Sequence, residues 1–292
     1  MAPSIRTEFR SNGVALLTID QPGSKVNVLT EQLWSDLETA IDLLASRGDA
    51  KGLVIASAKP GVFIAGADLK LLANADGPND PAVKAFIEHG LRVLEKLESL
   101  PFPTCAAIDG AALGGGLEVA LACDCRALGT HAKVQLGLPE VKLGLIPGWG
   151  GTQRLPRIVE ESHASTWLDM LTTGESLGAE AAFEIDLATM TVADPSELID
   201  FAANFDRYAG QREGIRRERE EKLRGLPFIP SELYPRAEAL SGAAAEAARV
   251  AFEGSSLPLY DAIKLETAAF LHLAGSPQSK RRIDEFFASR RK

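Results

Sequence analysis

The sequence predicts an α/β protein with a helical C-terminal region. Two observations carry that prediction. Short apolar runs bounded by turn residues alternate with helix-period segments through about residue 193. From 194 to 292 no convincing strand pattern remains and helical periodicity takes over. The chain therefore divides, on this reading, into a sheet-based core over 1–193 and a helical region over 194–292.

Ile5 to Arg10 and Val14 to Asp20 read as strands around Ser11-Asn12-Gly13, a hairpin turn signal. Thr30 is placed to cap a helix whose apolar face is Leu33, Leu37, Ile41 and Leu44. Gly52 to Ser57 is a continuous apolar run and reads as a buried strand. Lys59 to Ala67 reads as a loop, and a short helix is expected from about Asp68. A longer helix carries Val83, Phe86, Ile87, Leu91, Leu94 and Leu97 until Pro101-Phe102-Pro103 stops it. Thr104 to Ile108 is the next buried strand. Further helices are expected over Glu197 to Phe205, Glu238 to Phe252 and Tyr260 to Leu273, with a short last one near Ile283 to Phe287. Arg212 to Arg224, dense in Arg and Glu, reads as a solvated helix with i,i+4 ion pairs.

Composition narrows the function classes. With 292 residues, 46% apolar and 24% charged, the chain has the make-up of an ordinary folded protein with a sizeable core. A net charge of -9 argues against a nucleic-acid footprint, which needs a basic surface. It still allows a local basic pocket. Cys105, Cys123 and Cys125 are odd in number and lie among apolar residues, as reduced buried thiols do in a cytoplasm-like compartment. Cys123-Asp124-Cys125 has no second Cys/His pair at zinc spacing, so no metal is expected. Neither an N-terminal apolar signal core nor an apolar run of membrane-spanning length is found, so no membrane span is expected. A cytoplasmic location is expected, with the mitochondrial matrix left open because a cleaved address would not be visible.

Four segments carry chemistry. Ile108 to Glu118 runs from a buried strand into Gly114-Gly115-Gly116 and a helix start. Glycines there let backbone approach a ligand, and a helix N-terminus presents unpaired N–H groups that stabilise negative charge on oxygen. The segment is neither a Walker A loop nor a GxGxxG. A glycine triplet alone is more often a packing device. Glu118 changes the weighing, because a lone acid in Leu117-Glu118-Val119-Ala120-Leu121-Ala122 is costly to bury without a reason. It is either a hydrogen-bonded core acid or a carboxylate tuned for proton transfer. Val134 to Val141 places Glu140 directly after Pro139, either as an exposed loop acid or as a rigidly held one facing a cavity. Val62 to Lys70 sets small residues before the helix start at Asp68, which can supply a second N–H for a two-donor oxyanion hole. Leu143 to Leu155 is glycine-rich, lacks a phosphate-loop lysine, and reads alone as a tight turn into a helix.

In this order the four segments resemble the crotonase (enoyl-CoA hydratase/isomerase) superfamily, most of all the hydratase part of multifunctional fatty-acid oxidation α subunits. The resemblance rests on Phe63 to Lys70, Ala112 to Glu118 and Leu136 to Glu140 through Gly150 to Leu155. It covers about 5–192 and returns weakly near Glu266 to Phe287. It implies a spiral of ββα units with a helical C-terminal part. By motif position it implies that the Ala67 and Gly115 N–H groups hold a thioester oxygen, that Glu118 activates water, and that Glu140 protonates C2. It further implies coenzyme A contacts from Lys25, Val26, Ala65, Gly66, Asp68, Lys70 and Gly114, with Lys25 and Lys70 as candidates for its phosphates. Coenzyme A is then part of an acyl-CoA substrate, and no separate cofactor is expected.

Both acids together favour hydration of a trans-2-enoyl-CoA in fatty-acid β-oxidation. A Δ3,Δ2-enoyl-CoA isomerase is the alternative, since the resemblance implies that isomerases need mainly the acid at the Glu140 position, and a non-catalytic acyl-CoA-binding subunit is a third reading. The sequence departs from the resemblance at Phe183 to Ala188, where the family carries Gly-Leu-Val-Asp. The 206–240 stretch is similar to the linker of the multifunctional proteins, yet no Rossmann fingerprint follows it. A homo-oligomer, trimer or hexamer, and association with a separate dehydrogenase are both expected possibilities.

Overall fold

The structure is a computed structural model that describes residues 3–194, 196–204, 223–225 and 229–290. Most of the expected Arg/Glu helix over 212–224 lies outside the described residues. The strands are β1 (Ile5–Phe9), β2 (Val14–Ile19), β3 (Gly52–Ser57), β4 (Gly61–Ile64), β5 (Thr104–Ile108), β6 (Gly110–Leu113), β7 (Cys125–Gly129), β8 (Gln135–Gly137), β9 (Ser176–Leu177) and β10 (Met190–Val192). The helices are α1 (Glu31–Ala45), α2 (Leu69–Ala73), α3 (Pro81–Glu98), α4 (Gly115–Ala122), α5 (Gly151–Ile158), α6 (Ala164–Thr173), α7 (Ala179–Glu184), α8 (Leu198–Ala203), α9 (Leu233–Glu238), α10 (Gly242–Ser255), α11 (Leu259–Leu273) and α12 (Pro277–Ser289). The described part of the C-terminal region is built of helices, α8 to α12, with no strand among its described residues. Among the described residues no helix is long and apolar enough to cross a membrane.

The described residues form two compact units. The first lies within 1–67, 90–136 and 177–221, and the second within 68–89, 137–176 and 222–292.

The first unit is built on a six-stranded sheet in the order β1-β2-β3-β5-β7-β10. Only the β1–β2 hairpin is antiparallel; every later pair is parallel. Alternation sorts the side chains. Leu16, Val54, Cys105, Ala107, Cys125 and Ala127 share one buried cluster with Leu198, Ala202 and Ala203 of α8. The intervening residues Leu17, Leu53, Ile55, Ala106, Ile108 and Leu128 are also buried. Covering both faces is what makes β2, β3 and β5 near-continuous apolar runs, while the edge strand β1 stays largely exposed. The three cysteines are free thiols inside this unit, and burial pushes Cys105 and Cys123 up from the ordinary thiol range. Buried thiols so raised are inert toward oxidation and metal binding.

Three successive strand pairs explain the spiral. β3, β5 and β7 lie in the large sheet, while their successors β4, β6 and β8 lie in a second sheet of order β4-β6-β8-β9. The chain passes from one sheet to the other at each pair and then returns. The segment expected as a loop over 59–67 thus contains a strand. β4 is only four residues long, and its parallel pairing with β6, Gly61 opposite Gly110, defines it.

In the second unit, α10 packs on α11, α5 and α6. Ala243, Ala247, Ala248 and Ala251 are buried on α10, and small side chains allow that close approach. Phe252 meets Trp167 and Tyr234 edge-on, at centroid distances of 6.1 Å and 5.0 Å. Trp149 lies edge-on to Phe86 at 5.3 Å and donates its indole N–H to Ile87 O at 3.1 Å. The buried Arg157 donates to Gly254 O and Leu257 O at 3.0 Å and 2.9 Å, which caps the C-terminal end of α10. Burial lowers this guanidinium to about 10.

Helix boundaries differ from the sequence expectation in two places. The helix expected over 238–252 is α10, which begins only at Gly242, where φ is a left-handed 61° after Ser241; Glu238 instead ends α9. The last helix is longer than 283–287: Ser276 caps it by accepting from Ser279 N–H, and Pro277 opens it.

Candidate active site

The first unit holds two backbone segments that pack directly on each other. One is β4 and its continuation to Ala67; the other is β6 and the start of α4. Gly114, at φ 54° and ψ -127°, is the turn between β6 and α4, a conformation that favours glycine. Gly116 is the point of contact: a Cβ there would run into the Ile64 carbonyl oxygen. The first bonds of α4 run from Leu117 N–H and Glu118 N–H to Gly114 O, at 2.8 Å and 3.0 Å. The N–H groups of Gly115 and Gly116 precede that ladder, as the first N–H groups of any helix do.

Glu118 sits in the first turn of α4 and is 1% exposed. The helix around it is buried along its whole length. An acid in a first turn is favoured by the positive end of the helix dipole, which is the local reason a carboxylate is tolerated in this apolar run.

The other segment turns at Gly66, whose φ is 107°. Ala65 N–H donates to Asn27 O at 2.8 Å, and Leu29 N–H donates to Gly66 O at 2.9 Å. Residues 26–29 therefore run alongside 65–67, with Leu29 bridged to Ala67. Val26 is half-buried and pinned by the Ser24 hydroxyl, which bonds both its N–H and its carbonyl. Lys25 and Ala65 are exposed, Gly66 is buried and Ala67 is half-buried. Of the expected site residues, Lys25, Val26, Ala65, Gly66, Ala67, Gly114, Gly115 and Glu118 all lie in this unit.

Asp68, Lys70 and Glu140 belong to the second unit. Asp68 caps α2 by accepting from Lys70 N–H at 3.0 Å, and the Lys70 side chain is exposed. Glu140 lies in a 3₁₀ turn over Pro139–Leu143, opened by the proline and closed by left-handed Gly144. Its Oε2 is buried and has no hydrogen-bond partner among the described residues. Burial pushes this carboxyl well above the ordinary range, a local backbone bond opposes the rise, and the charge of Glu266 adds to it. An acid so placed keeps its proton near neutral pH.

Glu266 is a residue to which the sequence pattern assigns no role. It is fully buried on α11, with Oε1 accepting from Gly150 N–H at 2.6 Å and Oε2 from Thr152 N–H at 2.8 Å. The Thr152 hydroxyl donates to the same Oε2 at 2.6 Å. The carboxylate thereby caps α5 from another helix. Burial raises it too, while the Thr152 and Gly150 bonds pull it back down. Its sequence signal is weaker than that of Glu118, because Asp261 and Lys264 share its helix and make another acid there unremarkable.

The first unit offers N–H donors at a helix start beside a buried carboxylate; the second, taken by itself, holds a buried acid that keeps its proton. Comparison with known proteins gives the same direction. The family model for enoyl-CoA hydratase/isomerase matches residues 9–205. A fatty acid oxidation complex subunit alpha from Idiomarina loihiensis is 42% identical over 195 residues, which is 67% of this chain. The chain spans 27% of that protein's length. An enoyl-CoA hydratase structure from Bacillus anthracis is 25% identical at a TM-score of 0.61, covering 98% of this chain and 96% of that one. An enoyl-CoA hydratase structure from Bacillus halodurans shares the fold at a TM-score of 0.71 and 21% identity, covering 97% of this chain and 99% of that one. On the strength of the family match, which covers most of its length, the chain belongs to the enoyl-CoA hydratase/isomerase family.

Proposed function

We propose that this chain hydrates trans-2-enoyl-CoA to 3-hydroxyacyl-CoA. In this reading Ala67 N–H and Gly115 N–H hold the thioester oxygen. Glu118 takes a proton from water as the water oxygen bonds to C3. The electron pair moves through C2 onto the thioester oxygen, where the two N–H groups stabilise the enolate. Glu140 then gives its proton to C2 as the thioester carbonyl re-forms. One C–O and one C–H bond are made, one water is consumed, and the proton on Glu118 replaces the one lost from Glu140. These steps use no metal or redox cofactor, and coenzyme A arrives with the substrate. Lys25, Val26, Ala65, Gly66, Asp68, Lys70 and Gly114 are proposed to line its path.

The observation that carries this reading is the buried Oε2 of Glu140, which has no hydrogen-bond partner among the described residues and is held in its protonated range. A buried carboxyl with no partner is a poor structural device and a suitable proton donor. Glu118 supplies the second acid–base group, which favours water addition over a double-bond shift. Isomerisation between C3 and C2 needs the acid alone and is the second reading.

The test is to mix the protein with crotonyl-CoA, follow the enoyl-thioester absorbance, and identify the product. Loss of absorbance with formation of 3-hydroxybutyryl-CoA is expected. Binding without turnover at short, medium and long chain lengths would contradict it and point to a non-catalytic acyl-CoA-binding subunit. The product is the substrate class of a 3-hydroxyacyl-CoA dehydrogenase, so association with such an enzyme, or a trimer or hexamer of this chain, is also proposed. Light scattering with and without that enzyme reads the assembly.

A further inference from the structure

Asn27 is fully buried, polar, and far more heavily bonded than its neighbours in the 24–28 segment. Its side-chain N–H₂ faces Ser57 Oγ at 2.9 Å, Phe63 O at 3.1 Å and Ile19 O at 3.3 Å. Its Oδ1 accepts from Gln21 N–H at 3.1 Å. Its own carbonyl accepts from Ala65 N–H at 2.8 Å. One amide thus ties the chain to the ends of β2 and β3 and to β4, all within the first unit. Gln21 secures the next residue, bonding Val28 at both N–H and carbonyl.

The consequence lies two residues on. Leu29 N–H, delivered by this anchored segment, holds Gly66 O at 2.9 Å. Gly66 C=O and Ala67 N–H belong to one planar trans peptide, so they point in opposite directions. Fixing the carbonyl toward Leu29 fixes the N–H on the opposite side. The glycine φ of 107° leaves that plane otherwise easy to rotate. We propose that Asn27 is a positioning residue that aims the Ala67 N–H by anchoring the strand-like segment which holds the Gly66 carbonyl. This rests on the reading that Ala67 N–H binds the thioester oxygen.

The experiment uses the full chain and a saturated thioester, hexanoyl-CoA labelled with carbon-13 at its carbonyl. The infrared carbonyl stretch of the bound ligand reports hydrogen bonding to the thioester oxygen directly, and a purely structural role would not move it. In the wild type the stretch is expected below its value in water. Absence of that shift would remove the oxyanion-hole reading itself, not the role of Asn27. In Asn27→Asp, an isosteric change that puts a carboxylate against two carbonyl oxygens, the shift should shrink. kcat on crotonyl-CoA should fall by about 10-fold or more, while KM stays within about 3-fold. A wild-type shift in a folded Asn27→Asp protein, whatever happens to kcat, overturns the proposal. If that variant does not fold, Ser57→Ala, which removes one anchor only, decides: a smaller shift and a kcat reduced by about 2- to 5-fold support it, and wild-type values for both overturn it.

Discussion

Glu266 Oε2 accepts both hydrogens that Thr152 can offer, the backbone N–H at 2.8 Å and the hydroxyl at 2.6 Å. With Gly150 N–H on the other oxygen, three donors converge on one buried carboxylate. Glu140, in the same unit, has the opposite surroundings: its buried Oε2 meets no donor among the described residues.

Removing the Glu266 carboxylate strands these donors away from water. Glu266→Ala should lower stability by about 3 kcal/mol, within the range for buried charged groups that lose their partners. Urea denaturation measures it. A midpoint equal to wild type would mean the donors find other acceptors.

Glu140 carries a stability signature of the opposite kind. Its folded-state pKa is raised above the ordinary carboxylate value of 4.5. Between that value and the raised one the folded state binds more protons than the unfolded, so stability declines as pH rises through this window. Glu140→Gln, which cannot ionise, should show no such decline from this site. The variant should therefore be more stable than wild type at pH 8, on the order of 1 kcal/mol, and nearly equal to it at pH 4. Parallel melting curves at the two pH values check the sign, and a gap that closes as pH rises would contradict it.

The close approach of α4 to β4 gives a third prediction. A side chain at Gly116 must push Ile64 away, and with it the strand leading to Ala67. Gly116→Ala should lower kcat by about 100-fold, the scale of losing one oxyanion donor, with the fold retained by circular dichroism. Steady-state kinetics that leave kcat unchanged would show that the two segments move independently.

What is legible in the sequence, and what is hidden, follows from the range of the interactions. Thr30 is legible as a cap because its bond to Leu33 N–H is local. Glu118 is legible because an acid in an apolar helix is conspicuous whatever surrounds it. β4 reads as a loop because four residues between Pro60 and Ala65-Gly66-Ala67 carry no periodicity, and their strand character comes from β6. Asn27 is invisible for a similar reason: its acceptors at Ile19, Ser57 and Phe63 come from three other elements. Glu266 does not stand out as Glu118 does, because Asp261 and Lys264 share its helix and because Gly150 and Thr152 reach it only through the fold.

Two-acid hydration is tested most sharply by comparing wild type, Glu118→Gln and Glu140→Gln on two substrates, trans-2- and cis-3-enoyl-CoA. Hydration should fall by about 100-fold or more in each variant if both acids do proton-transfer work. Isomerisation should survive Glu118→Gln and be lost in Glu140→Gln. Hydration at the wild-type rate in either variant would refute the two-acid mechanism, as would a wild type that shifts the double bond and never adds water.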